Sequence, residues 1–242
     1  SEDDVTILVN GAARIMRVKE MDYPEPPVYG DSELPVNRAN GIVEINFRAF
    51  GIYYDVVVEC DDHQNDTSCT YDHYALDLVD RLQAQLWYLD IHDQRDRLSR
   101  LFASLAVWFA RQDAILDNLN GAADSFAILV NGENDSAVLA DMSRLMNEVL
   151  EAASNEIKMD EDRSDQFRPW RVLNLNSGVA ATRSFDAKLM QDTFEKMERR
   201  LPHDLPGFFA DGKRQVQMQE VPENVREVMT RFADKWATQL PH

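Results

Sequence analysis

The sequence predicts an α+β fold: an N-terminal antiparallel β-sheet of three or four strands packed on a mainly α-helical body with a long central helical hairpin. Two observations predict it. Apolar residues alternate within residues 1–60, and they recur at helical spacing for almost fifty residues, from 72 to 120. We therefore expect a single domain over residues 1–242, β-rich at 1–60 and mainly helical at 70–242.

Short alternating segments predict the strands of the N-terminal sheet. Residues 5–9 and 15–18 flank an Asn-Gly dipeptide at 10–11, which favours a tight hairpin turn. Residues 43–58 also alternate, but the parity slips by one at Gly51. Because a slip turns every following side chain to the other face, we expect two strands there, or one strand bent at a bulge.

The central helical stretch is interrupted by polar residues at 90–97. One helix over the whole stretch would be about 70 Å long at about 1.5 Å per residue, longer than a compact domain of this size. We therefore predict a helical hairpin of residues 72–90 and 94–120, ended by Gly121 as a C-terminal cap. A single bent helix is the alternative. The predicted core residues of the second helix are Leu101, Leu105, Trp108 and Phe109.

Beyond Gly121 the sequence alternates between clear helices and segments without a clear period. Residues 159–168 are charged and aperiodic, which indicates an internal boundary or a loop. The other predictions are a short strand at 126–130, a helix capped by Asn134, Asp135 or Ser136, a short strand at 170–176, a helix from Ser184 to Pro202, a loop at 203–219, and a last helix opened by Pro222.

The net charge of −18 excludes some classes of partner. Residues 1–80 alone hold 17 Asp and Glu against 5 Lys and Arg, a net charge of −12. Such a surface cannot neutralise a row of phosphates, so we expect neither direct nucleic-acid binding nor binding to an anionic membrane. The acidic face can instead steer a basic protein, bind a cation, or keep the protein soluble.

Localisation follows from what the sequence does not contain. There is no run of eighteen apolar residues, and the N-terminus lacks the features of a signal peptide. Two cysteines in 242 residues do not form a disulfide scaffold. We expect a soluble, intracellular protein, with a virion as a further possible location.

Both cysteines and two histidines form the one candidate chemical site: Cys60, His63, Cys69 and His73, in the spacing C-x2-H-x5-C-x3-H. The spacing resembles that of small zinc modules such as zinc knuckles, although the order of the ligand types differs. Thiolates and imidazoles are the ligands of structural zinc, and a complete set of four leaves no position open for catalysis. A disulfide between the cysteines, or side chains without any shared role, are the alternatives.

Motifs for nucleotide binding, zinc proteases and serine hydrolases are missing, so no catalytic or cofactor-binding residue is assigned. We therefore predict a non-enzymatic interaction or structural subunit of a larger assembly, such as a viral or phage particle. It would present helical and acidic surfaces to protein partners, basic ones included, or to further copies of itself. The alternatives are an acidic mimic of nucleic acid that inhibits a DNA-binding protein, and a metal-dependent enzyme with its site near residues 60–73.

Overall fold

The computed structural model describes the backbone of residues 2–9, 12–22, 37–39, 42–49, 52–60 and 95. It describes backbone and side chains of residues 96–111, 115–159 and 165–237. The chain divides into two compact units, residues 1–115 and 116–242. The predictions of a single domain and of an internal boundary near 159–168 stay predictions.

The first unit contains five antiparallel strands in the order β1-β2-β5-β4-β3. Val9 lies opposite Ala12, and Ala49 opposite Ile52, so in each of these pairs the two strands are separated by two residues of sequence. The parity slip at Gly51 therefore falls between two separate strands. The strand bounds are β1 Glu2–Val9, β2 Ala12–Asp22, β3 Asn37–Ala39, β4 Ile42–Ala49 and β5 Ile52–Cys60.

The first helix, α1, spans Arg95–Arg111 in the same unit. Every residue from 101 to 109 is buried, so all sides of this part of the helix are covered. Leu105 and Phe109 are 0% exposed, Leu101 2% and Trp108 4%. The prediction that these four side chains are core residues is confirmed.

The second unit is built from helices. Asp135 caps the helix that follows it, as predicted, since its Oδ1 accepts hydrogen bonds from the backbone N–H groups of Ala137 and Val138. The helix bounds are α2 Asn120–Gly132, α3 Ser136–Ala152, α4 Asn155–Lys158, α5 Pro169–Arg183, α6 Ala187–Arg200, α7 Leu205–Met218 and α8 Glu223–Ala237.

Aromatic rings fill the core between the last three helices. The ring centroid of Phe194 lies 4.9 Å from that of Phe209 and 5.2 Å from that of Phe232, both edge to face. Phe194 and Phe209 are 0% exposed. Since such pairs add to the free energy gained by burying the rings, this cluster is a main source of stability for the second unit.

Two backbone hydrogen bonds hold the first residue of the second unit, and we call this pair of bonds the clasp. Leu116 N–H donates to the carbonyl oxygen of Ala152 at 2.9 Å, and Ser154 N–H donates to the carbonyl oxygen of Leu116 at 2.7 Å. The two bonds form an isolated parallel bridge between Leu116 and Ala153. The start of the unit is thereby tied to the end of α3.

The predicted α+β fold class is wrong. Between residues 96 and 237, the part of the chain that the structure describes is 81% helical and contains no strand or sheet. The physical reason is that the helical stripes of the second unit bury one another, as the core of α6, α7 and α8 illustrates, so they need no sheet to cover them.

The predicted central hairpin is also wrong for its second helix. That helix was expected to run from 94 to 120, but α1 ends at Arg111, and Asn120 and Gly121 begin α2. Gly121 is buried near the start of a helix and is not a C-terminal cap. The predicted first helix, residues 72–90, lies outside the described residues.

Three further segments were assigned wrongly. The predicted strand 126–130 lies within α2, and the predicted strand 170–176 lies within α5. The predicted loop 203–219 contains α7. In each case the local pattern was too short or too rich in Pro and Gly to reveal a helix that tertiary packing stabilises.

Candidate functional site

The predicted zinc ligands cannot be placed together. Cys60 is the last residue of β5, of which only the backbone is described. His63, Cys69 and His73 lie outside the described residues. Where side chains are described, no group of three or more His, Cys, Asp or Glu residues can hold a metal ion. The zinc site stays a prediction.

The second unit carries a cleft of about 410 Å³ between α5 and α7, with α8 beneath. It was not predicted from the sequence. Its lining residues are Arg171, Leu175, Val179, Thr182 and Arg183 of α5, Asp204, then Gly207, Phe208, Asp211, Gly212 and Gln215 of α7, and Met229 of α8.

Helical spacing explains which residues face the cleft. Leu175, Val179 and Thr182 follow one another at i, i+4 and i+7, which places them on one face of α5. Met229 is 1% exposed and forms part of the floor. The floor and one wall are therefore largely apolar.

Phe208 closes the base of the cleft against the backbone of α5. A Cβ atom built at Gly178 would lie 2.8 Å from Phe208 Cζ and 2.7 Å from Met197 Sδ. Real Cβ atoms essentially never come so close to another heavy atom. Glycine at position 178 is thus what lets the Phe208 ring reach α5.

The two glycines of α7 that line the cleft differ in what lies beside them. A Cβ atom at Gly212 would meet the Met229 side chain, with Cε at 2.6 Å. A Cβ atom at Gly207 would meet no heavy atom within 4 Å. Because a helical glycine lowers stability, Gly207 is unexplained by packing within the second unit.

The arginines that line the cleft are engaged within the protein. Arg171 Nε donates to Asp204 Oδ1 at 2.6 Å, and its Nη1 donates to the carbonyl oxygen of Gln166 at 2.9 Å. Arg183 Nη1 donates to the carbonyl oxygen of Val130 at 2.6 Å, at the C-terminal end of α2. This end of a helix carries a partial negative charge, which a guanidinium stabilises.

The carboxylates that line the cleft are engaged as well. Asp204 lies just before α7 but makes no capping hydrogen bond to it, since its carboxylate holds Arg171. Asp211 pairs with Arg214 of the same helix. With its formal charges compensated in this way, the cleft suits an apolar side chain better than an ion.

A second polar feature, around Arg200, is structural. Arg200 Nη1 donates to Asn147 Oδ1 at 2.8 Å, and Nη2 donates to Glu151 Oε1 at 2.5 Å, which ties α6 to α3. Burial lowers the pKa of Arg200 below its usual value, and the Glu151 carboxylate opposes that shift. Buried polar groups with satisfied hydrogen bonds fix how helices pack, and here they link α3, α5 and α6.

None of the helices in the described part of the chain is long and apolar enough to cross a bilayer.

No family model matches the chain, and the comparisons with curated proteins and with solved structures found no significant match.

Proposed function

We propose that the protein is a non-enzymatic interaction or structural subunit of a larger assembly, and that the cleft between α5 and α7 is a surface on which a protein partner docks. The observation that carries the proposal is the cleft itself. Its floor is apolar, while its arginines and carboxylates are engaged within the protein.

The apolar floor favours a side chain of a protein as the occupant. Val179 is 36% exposed although it is a branched aliphatic residue, and it lies on the wall of the cleft. A partner that covers it gains roughly 25 cal/mol for each Å² of apolar surface removed from water. An apolar residue of a partner protein supplies that surface at little cost in desolvated charge.

The lining residues favour binding over catalysis. General acid–base catalysis needs a titratable side chain free to reach a substrate proton. The two carboxylates of the cleft, Asp204 and Asp211, each hold an arginine. The acidic N-terminal third, with its net charge of −12, supports a second contact with a basic protein partner.

A photo-reactive residue tests the proposal. It replaces Gln215, which lines the cleft and is exposed, in full-length protein expressed in its native cells. We expect a defined protein adduct at Gln215, and much less of it when Val179→Asp is added. The same probe at Asp192, exposed on α6, is the matched control. Equal adduct yields at the two positions would reject the cleft as a docking surface.

A further inference from the structure

One exposed stripe of α7 contains both a glycine, which leaves open space beside the helix, and a large apolar side chain. Gly207, Asp211, Arg214 and Met218 recur at i, i+4, i+7 and i+11, the spacing of a single helix face. All four are exposed, and Met218 is 86% exposed. The protein therefore leaves this large apolar side chain almost entirely uncovered.

The stripe is complementary to itself in the antiparallel direction. Positions equally far from the midpoint between Gly212 and Lys213 face each other when a second α7 lies antiparallel to the first. At about 1.5 Å per residue, Gly207 and Met218 each lie about 8 Å from that midpoint, on opposite sides. Met218 of one copy therefore faces Gly207 of the other.

The same antiparallel register also places opposite charges of the two copies next to each other. Asp211 of one copy faces Arg214 of the other, and the reverse holds on the other side of the two-fold axis. Within one chain these two residues already form an exposed i,i+3 pair. Four charges of alternating sign around the axis are mutually attractive, which fixes the register. A parallel pair would instead place Asp211 beside Asp211 and leave Gly207 open.

We propose that the α7 stripe, Gly207, Asp211, Arg214 and Met218, is the interface of a two-fold symmetric dimer, and that the cleft receives Met218 of a second copy. The inference rests on the proposed function, because it names the partner that docks in the cleft. It also explains Gly207, whose missing side chain leaves the space that a second chain enters.

The cleft suits a methionine side chain. Gly207 lines it together with Leu175, Phe208 and Met229, so a chain entering beside Gly207 meets apolar surface. Methionine is unbranched and polarizable, and it adapts to irregular apolar spaces. Each copy supplies one methionine and one cleft, and the two-fold axis makes both contacts at once.

Analytical ultracentrifugation of the full chain under reducing conditions tests the dimer. We expect a reversible monomer–dimer equilibrium for the native sequence. Met218→Asp and Gly207→Leu should each raise its dissociation constant by roughly tenfold or more. The first removes the apolar Met218 side chain, and the second fills the space beside Gly207. Neither should lower the melting temperature of the monomer much, because both positions are exposed and a Cβ atom at Gly207 meets no heavy atom within 4 Å.

Charge reversal supplies the sharper test. Asp211→Arg places like charges across the axis and should weaken the dimer, whereas adding Arg214→Asp restores alternating signs and should restore the dimer. Asp192→Arg, the same change in charge on an exposed site of α6, should leave the equilibrium unchanged.

Three results would overturn the inference: a native chain that stays monomeric at about 1 mM, a dimer indifferent to both Met218→Asp and Gly207→Leu, or no recovery in the double charge swap. Should the dimer fail while the probe at Gln215 still labels a different protein, the docking function would stand and only its partner would be wrong.

Discussion

Three glycine-to-alanine substitutions should separate the contributions of packing and helix propensity in the second unit. Gly178, Gly207 and Gly212 all lie within helices, so each alanine gains about 1 kcal/mol of helix propensity. They differ in what the new methyl group meets. We therefore expect the three substitutions to change the free energy of unfolding differently, although each adds the same methyl group.

At Gly178 the packing cost exceeds the gain. The new Cβ would lie 2.7 Å from Met197 Sδ and 2.8 Å from Phe208 Cζ, and the Phe208 ring is itself packed against Phe194 and Phe209. Overpacking of this kind costs about 1 to 3 kcal/mol, and simultaneous overlaps with the Phe208 ring and with the buried Met197 side chain place it near the upper end. Gly178→Ala should therefore destabilise the protein by about 1 to 2 kcal/mol.

The other two substitutions are the matched controls. Gly207→Ala meets nothing within 4 Å and should stabilise the protein by roughly 0.5 to 1 kcal/mol. Gly212→Ala meets the end of the flexible Met229 side chain, which can move, so the net effect should be near zero. Urea denaturation followed by far-UV circular dichroism measures all three. If Gly178→Ala proved as stable as Gly207→Ala, the close contact of Phe208 with α5 would be refuted.

Four other substitutions and measurements test separate features. Leu105→Ala should cost about 2 to 5 kcal/mol, because Leu105 is 0% exposed, and an unchanged melting temperature would contradict its burial. Arg200→Leu should cost about 1 to 3 kcal/mol in urea denaturation, since it leaves the Asn147 side-chain oxygen buried without its donor; a neutral result would remove the structural role of the network. Phe185→Gly should raise stability by roughly 0.5 to 1 kcal/mol, because Phe185 has φ of 59°, and a loss of stability would show that the ring contributes more than the strain costs. Elemental analysis should find one equivalent of zinc if residues 60–73 bind it, and less than about a tenth of an equivalent would reject that site.

The helices that the sequence predicted best are those with a cap and a long stripe. Asp135 begins α3 as expected, and Leu139, Met142 and Val149 of its predicted stripe are buried. Both signals are local, since a cap acts over three residues and a stripe repeats with the helical period. This is why α3 could be placed without knowing what covers it.

Segments that depend on tertiary contacts could not be placed in this way. Five apolar residues at 126–130 fit a strand and a helix equally well, and only tertiary packing decides, since α2 buries Phe126 and Val130, four residues apart, on one face. In α7, the lack of a clean period around Pro206 and Gly207 predicts a loop. Pro206 occupies the first turn, where its missing N–H costs nothing, and Gly212 receives the Met229 side chain.

The cleft could not be predicted because its walls come from sequence positions as far apart as Arg171 and Met229. No local pattern joins them. One local signal was the presence of two glycines within the fourteen residues of α7, in a segment whose missing period predicts a loop. A glycine that faces open space on a helix becomes informative only once the helix itself is known.

The clasp at Leu116 has a consequence for how the sequence of this protein can vary. Its two hydrogen bonds join backbone atoms only, so they persist whatever side chains stand at Leu116 and Ser154. Proline is the exception, because it has no N–H to donate. Homologous chains can therefore keep the two bonds when either residue changes, but Leu116 is 2% exposed and the Ser154 side chain caps α4, so we expect an apolar residue at the first position, a capping residue at the second, and proline at neither.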